Sequence, residues 1–326
     1  MKKIIVDTLG SDNGCVPIVT GALRALKENP DIFITFTGVT SDIEKIIKNT
    51  GADASRISII HTEEFVPDDA LPTCVFRGAD NTSMVMSLEH LKNSDDCVGL
   101  ISAGNTGAML VGTIFRLGLV KGLRSPALAT ALPCKKDGKV CLVDCGANTD
   151  CTPDDLKRFA LMGNAFIKAL EGIENPKVAL MSVGPSANKG NTLIKEAYPL
   201  IESLPLNFIG NIEGNDLIDS KADVIVTDGF TGNVLLKNTE ATGMAAVSLV
   251  ESMGQGMPGY KDIANKLRQM FAFNDLGGAV FLGASKTVVK MHGCANEDTA
   301  YACVNMVLNL ESRNFSKNVA EAISAM

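Results

Sequence analysis

The sequence predicts an α/β fold, a mostly parallel β-sheet covered by helices on both faces. Short runs of Val, Ile, Leu and Phe recur along the 326 residues, and longer segments with helical periodicity separate them. This alternation is typical of parallel strands joined by crossover helices, because parallel strands are buried on both faces and read as continuous apolar runs. A hydrophobic content of 46% supplies the side chains for a large core.

The individual elements follow from the same alternation. The predicted strands are short apolar runs bounded by turn residues, at 3–6, 32–37, 57–60, 98–102, 139–144, 177–182, 207–209 and 223–227. The predicted helices show the helical period and begin near capping residues, at 16–29, 42–49, 82–92, 106–117, 153–170 and 191–203. No repeat and no Pro/Gly/Ser-rich linker interrupts the chain, so we expect one catalytic α/β domain spanning residues 1–326.

Residues 234–273 differ from the rest of this domain. Helical segments rich in Ala, Met, Leu and Val are interrupted there by the glycine-rich turn at residues 254–259. The pattern predicts a helical hairpin that projects from the core as a protrusion. Its apolar side requires a partner surface.

Charge and composition exclude several classes of protein. The net charge of -7, the absence of Trp and the presence of only three Tyr disfavour binding to nucleic acid. The N-terminal segment reaches a charge after three apolar residues, so it lacks the apolar region of a signal peptide. The nine cysteines are then expected to be reduced thiols. We expect a cytoplasmic protein with no nucleic-acid partner.

Polar and glycine residues collect where ligands bind in such folds. Ligands of open parallel sheets lie at the carboxyl ends of the strands, and glycine-rich segments with Asn, Thr, Ser or Asp follow six predicted strands. Glycine lets the backbone approach a ligand closely, and short polar side chains add donors, so these segments suit an anion such as phosphate. For any one segment, a turn or a helix cap is the alternative interpretation.

The candidate phosphate- or substrate-binding residues come from these segments. They are Asp7, Ser102, Gly104, Asn105, Thr106, Gly107, Gly190, Asn191, Asn211, Asp228 and Thr231. Two segments lead into predicted helices, whose free N-terminal amides attract anions. Lys189 adds a full positive charge, so we expect phosphate beside Lys189 and the two helix starts, near residues 106 and 191.

No covalent nucleophile or cofactor motif is present. The segment around Ser102 lacks the G-x-S-x-G pattern of hydrolases, and neither nucleotide-binding fingerprint occurs. No metal-ligand spacing appears, so the carboxylates at strand ends are expected to orient loop amides, and we expect no metal and no cofactor. Phosphate itself is then the nucleophile, with Asn148, Asn233 or His292 stabilising the oxyanion. The apolar run at residues 287–291 indicates a strand that ends in a turn before His292, so a structural role is the alternative for His292.

Several of these segments, in this order, resemble the bacterial phosphate acyltransferase family of phospholipid synthesis. The likeness covers nearly the whole chain and is carried by residues 101–108, 144–148, 189–191, 208–214, 226–234, 277–279 and 292–293. The resemblance implies an enzyme that forms acyl phosphate from acyl-acyl carrier protein and inorganic phosphate. It also implies a Rossmann-like core similar to isocitrate and isopropylmalate dehydrogenases, a homodimer, and peripheral membrane contact through helices in the 234–273 region.

The chain departs from the family pattern in two places that bear on the acyl donor. The family's opening D-A-M-G-G-D is replaced by the sequence at residues 7–12, and its basic run is reduced to residues 75–80, which include Asp80. Fewer cations weaken attraction for an acidic carrier protein. Two alternatives therefore stay open: a phosphotransacylase for short acyl groups on coenzyme A or a protein cysteine, and a non-catalytic scaffold of lipid synthesis. A nicotinamide-dependent dehydrogenase is the remaining fold-based alternative.

Overall fold

A computed structural model describes residues 1–134, 138–219, 221–255, 257–271 and 277–326 of the chain. Contacts between residues divide it into two units, one formed by Met1–Pro126 with Gly277–Met326 and the other by Ala127–Leu276. The expectation of one domain over residues 1–326 stays a prediction. Strands and helices are numbered below in chain order.

The first unit contains six strands. They are β1 Lys2–Asp7, β2 Ile32–Gly38, β3 Ile57–His61, β4 Cys97–Ser102, β10 Ala279–Leu282 and β11 Thr287–Lys290. Their spatial order is β3-β2-β1-β4-β11-β10. All neighbouring pairs are parallel except β10 and β11, which form an antiparallel pair. The carboxyl ends of β1, β4 and β11 therefore lie side by side.

Helices of the first unit connect these strands and bury apolar faces against them. They are α1 Cys15–Glu28, α2 Thr40–Thr50, α3 Ser83–Asn93, α4 Thr106–Gly112, α10 Glu297–Ser312 and α11 Phe315–Ser324. A π-helical turn, Thr113–Leu117, extends α4, and single 3-10 turns lie at Ala54–Arg56 and Pro72–Phe76. Helices α1 and α10 pack closely, since a side chain on Gly21 would meet the Glu297 carbonyl oxygen at 2.2 Å.

Within its described residues, the second unit has five strands and five helices. The strands are β5 Ala127–Pro133, β6 Lys139–Val143, β7 Lys177–Met181, β8 Asn207–Ile212 and β9 Val224–Val226, in the order β5-β6-β9-β7-β8. Only the β5–β6 pair is antiparallel. The helices are α5 Pro153–Glu171, α6 Thr192–Glu202, α7 Asp216–Asp219, α8 Gly229–Met253 and α9 Tyr260–Phe271.

Helix α5 illustrates how local sequence sets these boundaries. Thr152 and Asp155 form a reciprocal capping box at its start, and Gly172 ends it in a left-handed conformation with φ 75°. Between these ends the helix buries one face against the sheet. Gly163 lets the helix approach strand β9 closely, because a Cβ at this position would lie only 2.7 Å from the Val224 side chain. Burial of each large apolar side chain contributes roughly 1.5–3 kcal/mol.

The predicted fold class is confirmed, and so are all eight predicted strands and six predicted helices. Boundaries differ by at most three residues, and the helix from residue 106 changes to a π-helical turn at Thr113. The sequence prediction omitted β5, β10 and the helices α7, α10 and α11, whereas the strand end expected before His292 is β11. The run at β5 is rich in Ala and ends in Pro, and β10 is only four residues long, so neither gave a clear strand pattern.

Two helices, α8 and α9, occupy the region where the sequence predicts a helical hairpin. They pack on each other, since a Cβ on Gly243 would meet the Phe271 ring at 2.2 Å, and Arg268 pairs with Glu251 at 2.5 Å. Helix α8 begins at Gly229, before the predicted residue 234, and residue 273 lies outside the described residues. In the described part of the chain, no helix is long and apolar enough to cross a membrane.

Candidate active site

In the first unit, a buried carboxylate joins the ends of β1 and β4. Asp7, fully buried, accepts a hydrogen bond from Ser102 Oγ at 2.7 Å and another from the Leu9 amide at 3.2 Å. Ser102 Oγ in turn accepts from the Gly104 amide at 3.1 Å. Burial raises the pKa of Asp7, and hydrogen bonds from Ser83 and Ser102 oppose that rise. Asp7 and Ser102 therefore shape the loop after β4.

Asn105 holds the same loop from its other end. Its side-chain oxygen caps α4 by accepting from the Ala108 amide at 2.9 Å, and its amide nitrogen donates to the carbonyl oxygens of Pro67 and Asp68 at 3.0 Å each. Both N–H groups of the side-chain amide are thus used within the protein. Asn105 is predicted as a phosphate ligand, but its side chain fixes the loop, and only the neighbouring Thr106 is exposed.

Lys290 is a partly buried cation that sequence reasoning missed. Its ammonium donates to the carbonyl oxygen of Ala103 at 3.0 Å and to that of Met291, so it joins the loops after β4 and β11. Burial lowers the pKa of Lys290 to about 8, against the opposing effect of the Asp68 and Asp12 carboxylates. Lys290 lies at the end of the apolar run of β11, outside the glycine-rich polar segments in which candidate residues were sought.

The lowered pKa of Lys290 gives a testable dependence of stability on pH. Between pH 8 and about 10.5 the unfolded chain retains a proton that the folded chain has lost, so this group increases the free energy of unfolding as pH rises. We expect wild type to gain up to about 1.4 kcal/mol per pH unit over Lys290→Met in this window. Urea unfolding of both proteins at several pH values measures the gain. If the free energies of unfolding of the two proteins change with pH in parallel, the lowered pKa of Lys290 is contradicted.

Two further loops of the first unit lie against each other. Ser11 Oγ donates to the Gly293 carbonyl oxygen at 3.0 Å, which ties the loop after β1 to the loop after β11. On its other side the β1 loop touches the β4 loop, because a Cβ on Gly10 would lie 2.9 Å from Gly104 Cα. His292 is exposed in this cluster, and its Nδ1 accepts from the Cys294 amide at 3.3 Å.

In the second unit, a buried carboxylate organises the loop after β6. Asp144 Oδ1 accepts from the amides of Leu128, Gly146 and Ala147 at 3.2, 2.9 and 2.9 Å. Its Oδ2 accepts from the Asn148 amide at 2.8 Å and from the Asn148 side-chain amide at 2.7 Å. Burial raises the pKa of Asp144, and these hydrogen bonds oppose the rise. The carboxylate orients loop amides, as the sequence analysis expects for such residues.

The start of α8 lies against this loop. Asp228 caps α8 by accepting from the amide and hydroxyl of Thr231 at 2.9 and 2.7 Å. The Gly229 amide donates to the Asn148 carbonyl oxygen at 2.7 Å. Asn233 lies beside Gly146, since its Oδ1 is 3.7 Å from the position that a Cβ on Gly146 would occupy. The structure thus brings Asn148, Asp228, Thr231 and Asn233 together, as the sequence predicts for site residues.

The segment before α6 carries the candidate cation. The methylene groups of Lys189 pack on Gly184, and the side chain is exposed, with no ion pair among the described residues. Gly190 adopts a φ of 104°, and Asn191 caps α6 by accepting from the Ile194 amide at 3.0 Å. The left-handed backbone at Gly190 favours glycine and turns the chain into the helix.

A cavity of about 390 Å³ lies between the starts of α6 and α8. Its apolar lining residues are Met181, Val183, Ile194, Val234 and Leu235. Its polar lining residues include Ser182, Asn191, Asp228 and Thr231. The volume falls within the range of small-molecule sites, and the predicted residues Gly190, Asn191, Asp228 and Thr231 all line it.

Two buried polar atoms at this sheet edge have no partner among the described residues. They are Ser182 Oγ, which belongs to a lining residue of the cavity, and Asn211 Oδ1. Asn211 also donates from Nδ2 to the Ser186 carbonyl oxygen at 2.9 Å. A buried polar group without a partner costs about 1–3 kcal/mol, so such atoms are expected where a ligand supplies the missing hydrogen bond.

The predicted site residues fall into two clusters, one in each unit. Asp7, Ser102, Gly104, Asn105, Thr106, Gly107 and His292 belong to the first unit, and the remaining candidates belong to the second. A joint phosphate site at Lys189 and the start of α4 therefore stays a prediction. Among the described residues, no three His, Cys, Asp or Glu side chains are placed to hold a metal ion.

The geometry defines the class of protein: an α/β fold with polar loops at the carboxyl ends of parallel strands and, in the second unit, an apolar cavity beside such loops. The fold is that of a phosphotransacetylase from Streptococcus pyogenes, with a TM-score of 0.63, 15% identity and coverage of 99% of this chain and 94% of that one. A Salmonella typhimurium structure described as a 4-hydroxythreonine-4-phosphate dehydrogenase covers 95% of this chain and 99% of its own, with 12% identity and a TM-score of 0.50.

Sequence comparison identifies the particular family. The family described as Fatty acid synthesis protein matches residues 2–318, and this chain belongs to it. A relative named Phosphate acyltransferase, from Clostridioides difficile, is 36% identical over 329 residues, covering 99% of this chain and 96% of its own. The resemblance stated from the sequence is confirmed.

Proposed function

We propose that this chain is a phosphate acyltransferase, which transfers an acyl group from acyl carrier protein to inorganic phosphate for phospholipid synthesis. Full-length similarity to chains with that name supports the reaction. The structural observation that carries the proposal is Lys189, an exposed cation next to Gly190 at an apolar cavity. A cation and an apolar site side by side suit the two substrates, an anion and an acyl thioester.

The proposed reaction needs no protein nucleophile. A phosphate oxygen attacks the thioester carbonyl carbon, the new C–O bond forms, and the C–S bond breaks, so that the carrier leaves as a thiolate that takes a proton from water. Lys189 holds the phosphate, and loops held by Asp144 fix the position of Asn148 beside the start of α8. The task of the protein is positioning and stabilisation of the oxyanion, for which Asn148, Asn233 or His292 is the proposed donor.

The test is formation of acyl phosphate, trapped as the hydroxamate, from phosphate and matched donors. The donors are long-chain acyl carrier protein, long-chain acyl-CoA and acetyl-CoA. We expect product from the long-chain carrier protein. Product from short donors alone would instead support the phosphotransacylase alternative, which the shared fold with a phosphotransacetylase favours. Acyl-ligand binding without product would support a non-catalytic scaffold.

A homodimer and a weak peripheral membrane contact complete the proposal. Helices α8 and α9 and the turn between them carry exposed apolar side chains, among them Leu249, Met253, Met257 and Ile263. Such side chains favour either a second copy of the chain or a lipid interface. Sedimentation velocity and vesicle flotation distinguish these two partners. A monomer that does not float with vesicles would contradict both.

A further inference from the structure

The cavity between α6 and α8 has no cation among its lining residues. The charged group that lines it is the Asp228 carboxylate, whose two oxygens accept from Thr231. A phosphate inside the cavity would therefore meet a like charge and apolar walls. An uncharged apolar ligand would be neither repelled by the Asp228 carboxylate nor desolvated unfavourably by the apolar walls.

The apolar walls of the cavity come largely from three elements of the second unit. Met181 is the last residue of β7, Ile194 lies in α6, and Val234 and Leu235 lie in the first turns of α8. Val234 is 53% exposed and Val183 is 78% exposed, so apolar surface continues from the interior to the mouth. A continuous apolar path from solvent to the interior suits a flexible hydrocarbon chain.

A cation stands beside this apolar path. Lys189 lies outside the cavity, next to its lining residue Gly190, and its side chain is exposed. An anion held by Lys189 would therefore lie close to the cavity and outside its apolar walls.

We propose that the alkyl chain of the acyl group binds in this cavity. The inference rests on the proposed function and extends it, because it makes the cavity wall the determinant of acyl chain length. Ile194, Gly214, Val234 and Leu235 set the space available to the chain.

Gly214 offers a way to shorten the cavity with little strain. It lines the cavity, its φ lies outside the left-handed region, and a Cβ there would meet only Leu235 at an ordinary 3.9 Å. We expect Gly214→Leu to lower the ratio of kcat/KM for hexadecanoyl over acetyl donors, on the same carrier, by at least about tenfold. Val234→Phe, at the mouth, is a second variant with the same expected direction.

Glu202→Leu is the matched control, because it also introduces a leucine. Glu202 is the exposed last residue of the 11-residue α6, at the end of the helix away from the cavity. Loss of its charge is therefore too far away to affect the cavity. Its chain-length ratio should equal that of wild type. Folded Gly214→Leu and Val234→Phe proteins, judged by Tm, that keep the wild-type ratio would overturn the proposal.

A separate binding measurement distinguishes failure of this inference from failure of the proposed function. If wild type forms no acyl phosphate from any donor, the proposed function fails. Calorimetric titration with hexadecanoate then tests the cavity alone: binding weakened at least about tenfold in Gly214→Leu supports an alkyl site. Equal binding to wild type and both variants would overturn it.

Discussion

Replacement of Lys189 by alanine is expected to lower kcat/KM for acyl phosphate formation about a hundredfold. The ammonium is exposed and makes no ion pair among the described residues, so its charge is available to phosphate. The loss should appear with every acyl donor, because phosphate is common to all of them. Initial rates of hydroxamate formation at varied phosphate concentration measure it.

Lys195→Ala is the matched control for this experiment. Lys195 is an exposed lysine on α6, only a few residues away, and does not line the cavity. Its removal changes the net charge by the same amount, so a purely long-range electrostatic effect would lower both rates alike. Equal rates for Lys189→Ala and wild type would reject Lys189 as the phosphate ligand.

Asp144→Asn is expected to reduce the free energy of unfolding by roughly 3–5 kcal/mol and to abolish most activity. The buried carboxylate accepts five hydrogen bonds from the loop after β6 and from Leu128, and an amide cannot accept all of them. The side-chain N–H groups of the introduced asparagine would face the backbone N–H donors of the loop. Urea unfolding followed by circular dichroism measures the stability change.

The control for this substitution is Asp150→Asn, which makes the same chemical change at an exposed position near the end of the same loop. We expect its stability to stay within about 0.5 kcal/mol of wild type. A small effect at Asp144, comparable to that at Asp150, would mean that the loop does not depend on the carboxylate for its conformation.

Where the sequence prediction succeeded, local chemistry and global fold agreed. Helix α5 is an example: a Thr–Pro start, an apolar face and a terminal glycine are all local signals, and the structure has the helix within one residue of its predicted end. The strand β10 was missed because a four-residue strand carries little pattern of its own.

Side-chain roles at the strand ends were harder to predict than their positions. Asn105 and Asn191 have the same residue type at the same kind of position, and both cap a helix through their side-chain oxygen. Sequence chemistry alone does not distinguish an amide that caps a helix from one that binds a ligand, because both roles use the same donors and acceptors. Only the hydrogen-bond partners decide.

The sequence by itself determined the fold class, the family and the segments that carry the candidate site. It could do so because apolar periodicity encodes strands and helices locally, and because parallel strands end at a common edge. Tertiary structure alone decided that Lys290 is a partly buried cation with a lowered pKa and that Met181, Ile194 and Leu235 line one cavity. The physical reason is that burial, pKa and cavity shape depend on residues that are distant in sequence and meet only in the folded chain.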